Sequence, residues 1–334
     1  MNIRRAVAML LALVLMVSMS VAAQDAEALT CEDGFQPVTD IMGTMCISEN
    51  IERVVVLEWT YVEDVLALGV QPVGVADIEG YNNWVKIPVT LEEGVTDVGL
   101  RGEPNLEILA GLNPDLIIGT AFRMTENYDD LSAIAPTLVF NPYPEDLTIS
   151  QYDEMLNTFT TIAGALNRVD EGAAVLEHME GVFTAAEAAL TEAGRDGEGF
   201  ILSQGWTAES VATFRLFTDN AMAVQILART GLTNDWTAPI EVYGFSTIGM
   251  EGFAEVGDTN FFYVAQQSDE DIINDMPIWG SLPFVKSERA YWIGGDVWLF
   301  GGPLSAEVLV DTILSAMGVE LPEPEVTLES TIQP

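Results

Sequence analysis

Arg101, Arg123 and Arg215 stand out because cations are scarce in this chain. It carries 12 lysines and arginines against 52 aspartates and glutamates, for a formal net charge of −40. Arg4 and Arg5 belong to an N-terminal leader, so ten of the 12 remain for the folded part. Arg168, Arg195 and Arg229 fall on helical patterns or their ends, where a solvated role suffices. The pattern places Arg101, Arg123 and Arg215 in loops beside strand or helix ends. A guanidinium offers a planar fork of donors suited to oxygen-rich anionic ligands. One such arginine is an ordinary surface charge; three in comparable loops of an acidic chain point to a site. Trp84, Trp206, Tyr243, Trp298 and Phe300 interleave with them, and a tryptophan in the loop GGDVWLFGG (294–302) is poorly explained by core filling. Aromatic walls with a few cations suit a bulky, partly apolar ligand bearing anionic oxygens.

Catalysis is poorly served. His178 is the sole histidine and sits mid-helix among Leu176, Glu177 and Met179, which reads as an ordinary helix-surface residue. Without a second histidine there is neither a serine triad nor a histidine-rich metal site. Ser246 in GFSTIG lacks the glycine two positions later that a nucleophile elbow needs. No glycine-rich phosphate loop follows a strand, and Asp269-Glu270-Asp271 reads as a solvated turn without calcium-loop spacing. The expectation is a binder with no catalytic residue, no cofactor and no protein-held metal. The acidity repels nucleic acid and anionic membranes.

The elements that must position these groups alternate between strands and helices. Residues 1–23 read as a secretory signal peptide: Arg4 and Arg5, an apolar run at 6–17, and the cleavage site Val21-Ala22-Ala23. The apolar run is too short to span a membrane, which takes about 20 residues. Cys31 and Cys46 are the two cysteines, and an even pair in an oxidising compartment reads as a disulfide closing a hairpin around Asp33-Gly34, within an extension at 24–50. The alternative, a lipid-anchored Cys31, is disfavoured because Ala-Leu-Thr precedes it in place of the usual small residue. An α/β lobe is expected over 51–148. It contains the strand RVVVLE (53–58), a loop at 78–88 holding Trp84, and a helix N-capped by Asn105 and stopped at Asn113-Pro114 before the strand LII. Residues 149–195 read as one helical rod, bent at Gly164 or Gly172, that links this lobe to a second at 196–320. An acidic, proline-containing tail at 321–334 closes the chain. The second lobe echoes the first, with Met250-Glu251, helix, Phe-Phe-Tyr-Val matching Leu106-Glu107, helix, Leu-Ile-Ile. The fold class expected is α/β, two βα lobes joined by one long backbone helix, with the site in the cleft.

At this point the chain resembles the siderophore-binding proteins of bacterial iron ABC importers, most closely the hydroxamate (ferrichrome-type) binders, with iron-dicitrate binders also similar. The pieces that carry the resemblance are RVVVLEW (53–59), GVQPVGVAD (69–77), YNNWV (81–85), VGLRGEPNLE (98–107), NPDLII (113–118), MPIWGSLPFV (276–285) and VWLFGGPLSAEVLVDTI (297–313). The resemblance implies the bilobal periplasmic-binding-protein fold, little hinge motion, and a monomer in the periplasm or another extracytoplasmic space that docks on a permease and its ATPase. It implies ligand contacts at Trp84 and Arg101 in the first lobe and at Tyr243 and Trp298 in the second. Iron would be held by the siderophore. Where hydroxamate binders have aromatics after the NPDLII strand, this chain has Gly119 and Arg123, which tilts the expectation toward anionic chelates such as citrate or catecholate types. Glu107 and Glu251 resemble the acidic pair offered to permease arginines; carboxylates in the first turn of a helix are also favoured by its dipole. The competing readings are a cobalamin or haem binder on the same fold, a secreted hydrolase, and an adhesion or signalling module.

Overall fold

A computed structural model of the chain describes residues 29–322 apart from residue 210. The leader expected at 1–23, and the tail from residue 323 onward, lie outside the described residues.

The fold opens with an antiparallel hairpin of β1 (Phe35–Asp40) and β2 (Gly43–Ser48). Cys31 is disulfide-bonded to Cys46 of β2, with Cα atoms 5.7 Å apart. The hairpin turns at Ile41-Met42, not around Asp33-Gly34. Asp40 beside that turn accepts a hydrogen bond from the backbone N–H of Val139 at 2.8 Å, which fastens the hairpin to the first lobe.

That lobe runs β3 (Val54–Val56), α1 (Trp59–Ala67), β4 (Gly74–Val75), α2 (Ile78–Trp84) and β5 (Thr96–Asp97). A tight ribbon of β6 (Gly99–Leu100) and β7 (Glu103–Pro104) then carries Arg101 at its turn. Helix α3 (Leu106–Leu112), β8 (Leu116–Thr120), α4 (Ala121–Met124), α5 (Tyr128–Ile134) and β9 (Thr137–Phe140) complete it. The sheet is parallel throughout, in the order β5-β4-β3-β8-β9. The chain winds outward from β3 to β5 and then restarts at β8 on the other side of β3. A topological switch point therefore lies between β3 and β8, where open α/β sheets bind ligands at the strands' carboxyl ends. The β-branched run explains the centre: Val54 and Val56 pack into one core layer and Val55 into the other. Residues 78–84, expected as loop, are helical. Asp77 takes a left-handed conformation and accepts from Gly80 N at 3.1 Å, starting the helix.

Residues 149–195 form two helices, α6 (Gln151–Ala165) and α7 (Val169–Glu192), in place of a single rod. The break is at Asn167, in the left-handed region at φ 54°. Arg168 N donates to Ala163 O (2.8 Å) and Asn167 N to Gly164 O (3.1 Å), which is a Schellman stop with asparagine in the usual glycine position. The suspected glycines do not bend the helix. Gly172 instead lets the two helices approach, since a Cβ there would lie 2.8 Å from the Ala163 Cβ. Both helices serve both lobes. Phe159 and Ile162 of α6 and Val175 of α7 join the first lobe's core, while Tyr152, Met155, Met179, Phe183 and Leu190 join the second's.

The second lobe runs β10 (Gly199–Ala208), β11 (Val211–Phe217), α8 (Met222–Arg229), β12 (Thr233–Asn234) and β13 (Phe245–Gly249). After a 3-10 turn at Met250–Glu255 come β14 (Asn260–Val264), α9 (Gln267–Asn274), α10 (Pro283–Lys286), β15 (Ala290–Trp292) and α11 (Pro303–Ala316). Its sheet order is β13-β11-β10-β14-β15, with β12 beside the start of β10. Strands β11 and β13 run antiparallel, so the sheet is mixed and only partly echoes the first. The lobes are joined directly as well. Glu63 of α1, fully buried, accepts from Ser305 N at 2.7 Å and from the Ser305 hydroxyl, and so caps the amino end of α11 across the lobe boundary. The mixed α/β, two-lobed architecture is the one expected.

Candidate functional site

The switch point between β3 and β8 opens on a cavity of about 420 Å³ lined from both lobes. At its base is Glu58, which directly follows the buried run of β3 and is 5% exposed. Its carboxylate accepts from Trp59 N at 3.0 Å as the N-cap of α1. It also accepts from Arg101 through Oε1 and from Arg123 through Oε2, each at 2.6 Å. Arg101 reaches it from the β6–β7 turn and lies over the Trp59 ring, guanidinium carbon 3.4 Å from the ring centroid. Trp59 is fixed from below, its indole N–H donating to Ala76 O (3.3 Å) and Asp77 O (3.2 Å).

Arg215 faces them from the second lobe. Strand pairing sets it opposite Gln204, whose Oε1 accepts from it at 2.9 Å. The guanidinium carbon is 4.6 Å from the Phe245 ring centroid and 5.2 Å from that of Trp206. Burial lowers its pKa from the usual arginine value, and no carboxylate pairs with it among the described residues. Aromatic rings continue around the wall: Phe122, Tyr143 and Tyr243 in succession (5.8 and 5.2 Å between centroids), and Phe300 and Trp298 (5.2 Å), with the buried Trp59 behind Trp298 at 5.4 Å. Tyr143 is held protonated, chiefly because burial, and then the Glu58 charge, raise its pKa.

Four buried polar atoms of lining residues have no hydrogen-bond partner among the described residues: the Tyr61 hydroxyl, Asp64 Oδ1, the Thr120 hydroxyl and the Trp298 indole nitrogen. Buried polar groups are normally satisfied, so these four atoms, enclosed beside the cavity, are exceptions to that rule. Burial, and then Glu63 beside it, push the Asp64 carboxyl well up toward its neutral form.

Of the residues picked from sequence, Arg101, Arg123, Arg215, Tyr243 and Trp298 line this one cavity. Two of them are not in loops: Arg123 is on α4 and Arg215 on β11. Trp84 is elsewhere. It ends α2, packs on the first lobe's core and does not line the cavity; Trp59 is the tryptophan beside Arg101. Glu107 and Glu251 are exposed, in the first turns of α3 and of the 3-10 turn, one on each lobe. His178 is half-buried and its Nδ1 lies 2.8 Å from Glu307 Oε1, tying α7 to α11 rather than facing solvent. Sequence reasoning passed over Glu58, Trp59, Tyr143 and Phe122. The Arg123 and Gly119 departures leave aromatic surface in place, since Phe122 and Tyr143 line the cavity.

A family profile described as "Periplasmic binding protein" matches residues 54–297. The Fe(3+)-citrate-binding protein YfmC of Bacillus subtilis is 31% identical over 281 residues, covering 83% of this chain and 84% of that protein. The iron(3+)-hydroxamate-binding protein FhuD of Escherichia coli is 30% identical over 268 residues, covering 80% and 87%. Among solved structures, the Fe3+–Desferal-bound siderophore-binding protein FhuD of Vibrio cholerae superposes with a TM-score of 0.73 at 26% identity, covering 80% of this chain and 98% of that one.

Proposed function

The chain belongs to the periplasmic binding protein family, and on that premise we propose that it is the extracytoplasmic solute-binding component of an ABC importer. It captures a ferric siderophore in the cavity between its lobes and delivers it to a membrane permease, with no turnover. The observation that carries the reading is the convergence of Arg101, Arg123 and Arg215 with an aromatic wall on one cavity in an otherwise acidic protein. Guanidinium forks suit the oxygens that surround a chelated ferric ion, and the rings suit the apolar body of the chelator. The iron is cargo, held by the chelator. The names of the relatives, a ferric-citrate binder and a ferric-hydroxamate binder, support iron chelates as the ligand class.

Trp298 lines the cavity, with Trp59 stacked against Arg101 behind it, and reports on it. Iron-loaded hydroxamate, citrate or catecholate chelators are expected to quench tryptophan fluorescence, and the iron-free chelators are not. Indifference to all three ferric chelates would remove the reading. Glu107 and Glu251 are proposed as the docking carboxylates, because each is exposed on a different lobe. We also propose that the chain is not lipid-anchored at Cys31, whose sulfur is bonded to Cys46; a mass of the exported protein that includes acyl chains would contradict this.

A further inference from the structure

The cavity's cations are not free to meet an anionic ligand at full strength. Glu58 is almost wholly buried and gives one carboxylate oxygen to Arg101 and the other to Arg123. It sits at the switch point as the N-cap of α1, so its carboxylate is held by Trp59 N as well as by the two guanidinium groups. Two of the three guanidinium groups therefore share one internal counter-ion, and one face of Arg101 is covered by Trp59. The third, Arg215, is held by the neutral Gln204. Asp64 and Glu154 also line the cavity, and burial pushes both carboxyls up toward neutrality. Counted generously, with those two protonated, three guanidinium charges face one carboxylate, a net of two positive charges. With both ionised the net is zero. The unpartnered donors that remain, the Tyr61 and Thr120 hydroxyls and the Trp298 N–H, are uncharged.

Resting on the functional reading above, we propose that Glu58 is a built-in counter-ion that makes the cavity selective for ferric chelates of low net charge, trishydroxamates above all, over trianionic tris-catecholates. A trianion brought beside Glu58 meets a fixed negative charge in a poorly solvated place, whereas a neutral chelate offers carbonyl-type acceptors that the partly engaged guanidinium groups lining the cavity satisfy. This reverses the tilt toward anionic chelates that Arg123 suggests when read in sequence without its partner.

The test is binding of two probes, ferrichrome (a neutral ferric trishydroxamate) and ferric enterobactin (a trianionic tris-catecholate), measured by tryptophan quenching at fixed ionic strength. The wild-type protein is expected to prefer ferrichrome. Glu58→Gln keeps an acceptor for Trp59 N and removes the charge, so the preference should move toward the trianion by about tenfold or more. Glu58→Asp keeps the charge and should keep the ranking even where both affinities fall. Arg123→Gln removes a cation instead and should move the preference the other way, which leaves the proposal open to refutation if Glu58→Gln does not fold. A structural role alone would weaken both probes together and leave their ratio fixed. A wild-type preference for the trianion, or variants that leave the ratio unchanged, overturns the proposal and leaves the importer reading standing. Failure of the wild-type protein to bind either probe overturns the proposal, and indifference to ferric citrate as well overturns the importer reading with it.

Discussion

Arg101 is held by stacking on Trp59 and by a charge-assisted bond to Glu58, so its side chain is ordered before any ligand arrives. Such pre-organisation reduces the entropy lost on binding. Arg101→Ala removes a charged donor worth about 1.5–3 kcal/mol, so affinity for a ferric chelate should fall roughly ten- to hundredfold. Arg195→Ala, which loses a half-buried pair with Glu198 and does not line the cavity, should leave affinity unchanged in the same titration. Glu63 makes a separate prediction. Burial raises its pKa to about 7 from an ordinary 4.5, although the Ser305 hydroxyl and the backbone N–H groups at the start of α11 pull it partway back. The folded state thus holds this proton more tightly than the unfolded state. The associated stability is fully present below pH 4.5 and is lost as pH rises through about 7, by on the order of 3 kcal/mol. Melting temperature measured against pH should decline across that window, and Glu63→Gln should flatten the decline. An unchanged slope in the variant would place the titration elsewhere. At this scale, legibility followed abundance. Ten cations in an acidic chain draw attention to themselves, whereas one buried carboxylate among 52 does not. Nothing local marks Glu58, because its partners are two arginines 43 and 65 residues away.

Between elements, the break at Asn167 and the close contact at Gly172 set how α6 and α7 fold against each other. The Asn167 side chain also donates to Glu49 O, a bond worth about 1 kcal/mol that both variants lose; a left-handed alanine adds about 1–2 kcal/mol, so in chemical denaturation Asn167→Ala should cost more than Asn167→Gly by roughly that amount. Gly172→Val must push α7 off Ala163, an overpacking cost of about 1–3 kcal/mol, and a variant as stable as wild type would mean the helices have room to part. The apolar periodicity ran through Leu166 without interruption, so the segment read as one rod. A stop made by one asparagine and two backbone hydrogen bonds leaves no proline or glycine to see. Helix α2 was hidden for another reason: its seven residues, IEGYNNW, include a glycine and two asparagines, which are weak helix formers. The strands β3 and β8 were readable because β-branched residues buried on both faces leave a continuous apolar signal. Arg215 was misplaced into a loop because a charged residue interrupts the apolar run of β11; what tolerates it there is the cavity it faces.

For the whole molecule, the net charge of −40 acts at a distance that the site does not. The Debye length shrinks from about 30 Å at 0.01 M salt to about 8 Å at 0.15 M. The association rate of an anionic ferric chelate should therefore rise across that range, while that of a neutral chelate should hardly change; stopped-flow quenching reads both. Docking is also decided at this scale. Charge reversal in Glu107→Arg with Glu251→Arg should abolish iron uptake in cells while leaving chelate affinity intact, and uptake surviving both would free these carboxylates from the task. The two-lobed plan was legible in the sequence from the alternation of strands and helices. The mixed pairing of the second sheet was not, since it depends on a hairpin whose direction no periodicity encodes. The sharing of α6 and α7 between two cores has a consequence for how this chain can be recombined. A crossover placed anywhere from residue 149 to 195 would give each parent's lobe half of a foreign core, with Phe159 and Val175 on one side and Tyr152 and Phe183 on the other. Lobes are therefore poor cassettes in this protein. New ligand preferences have to be grafted through the short stretches at strand ends, such as those bearing Glu58, Arg101 and Arg123, while the helical pair is inherited whole.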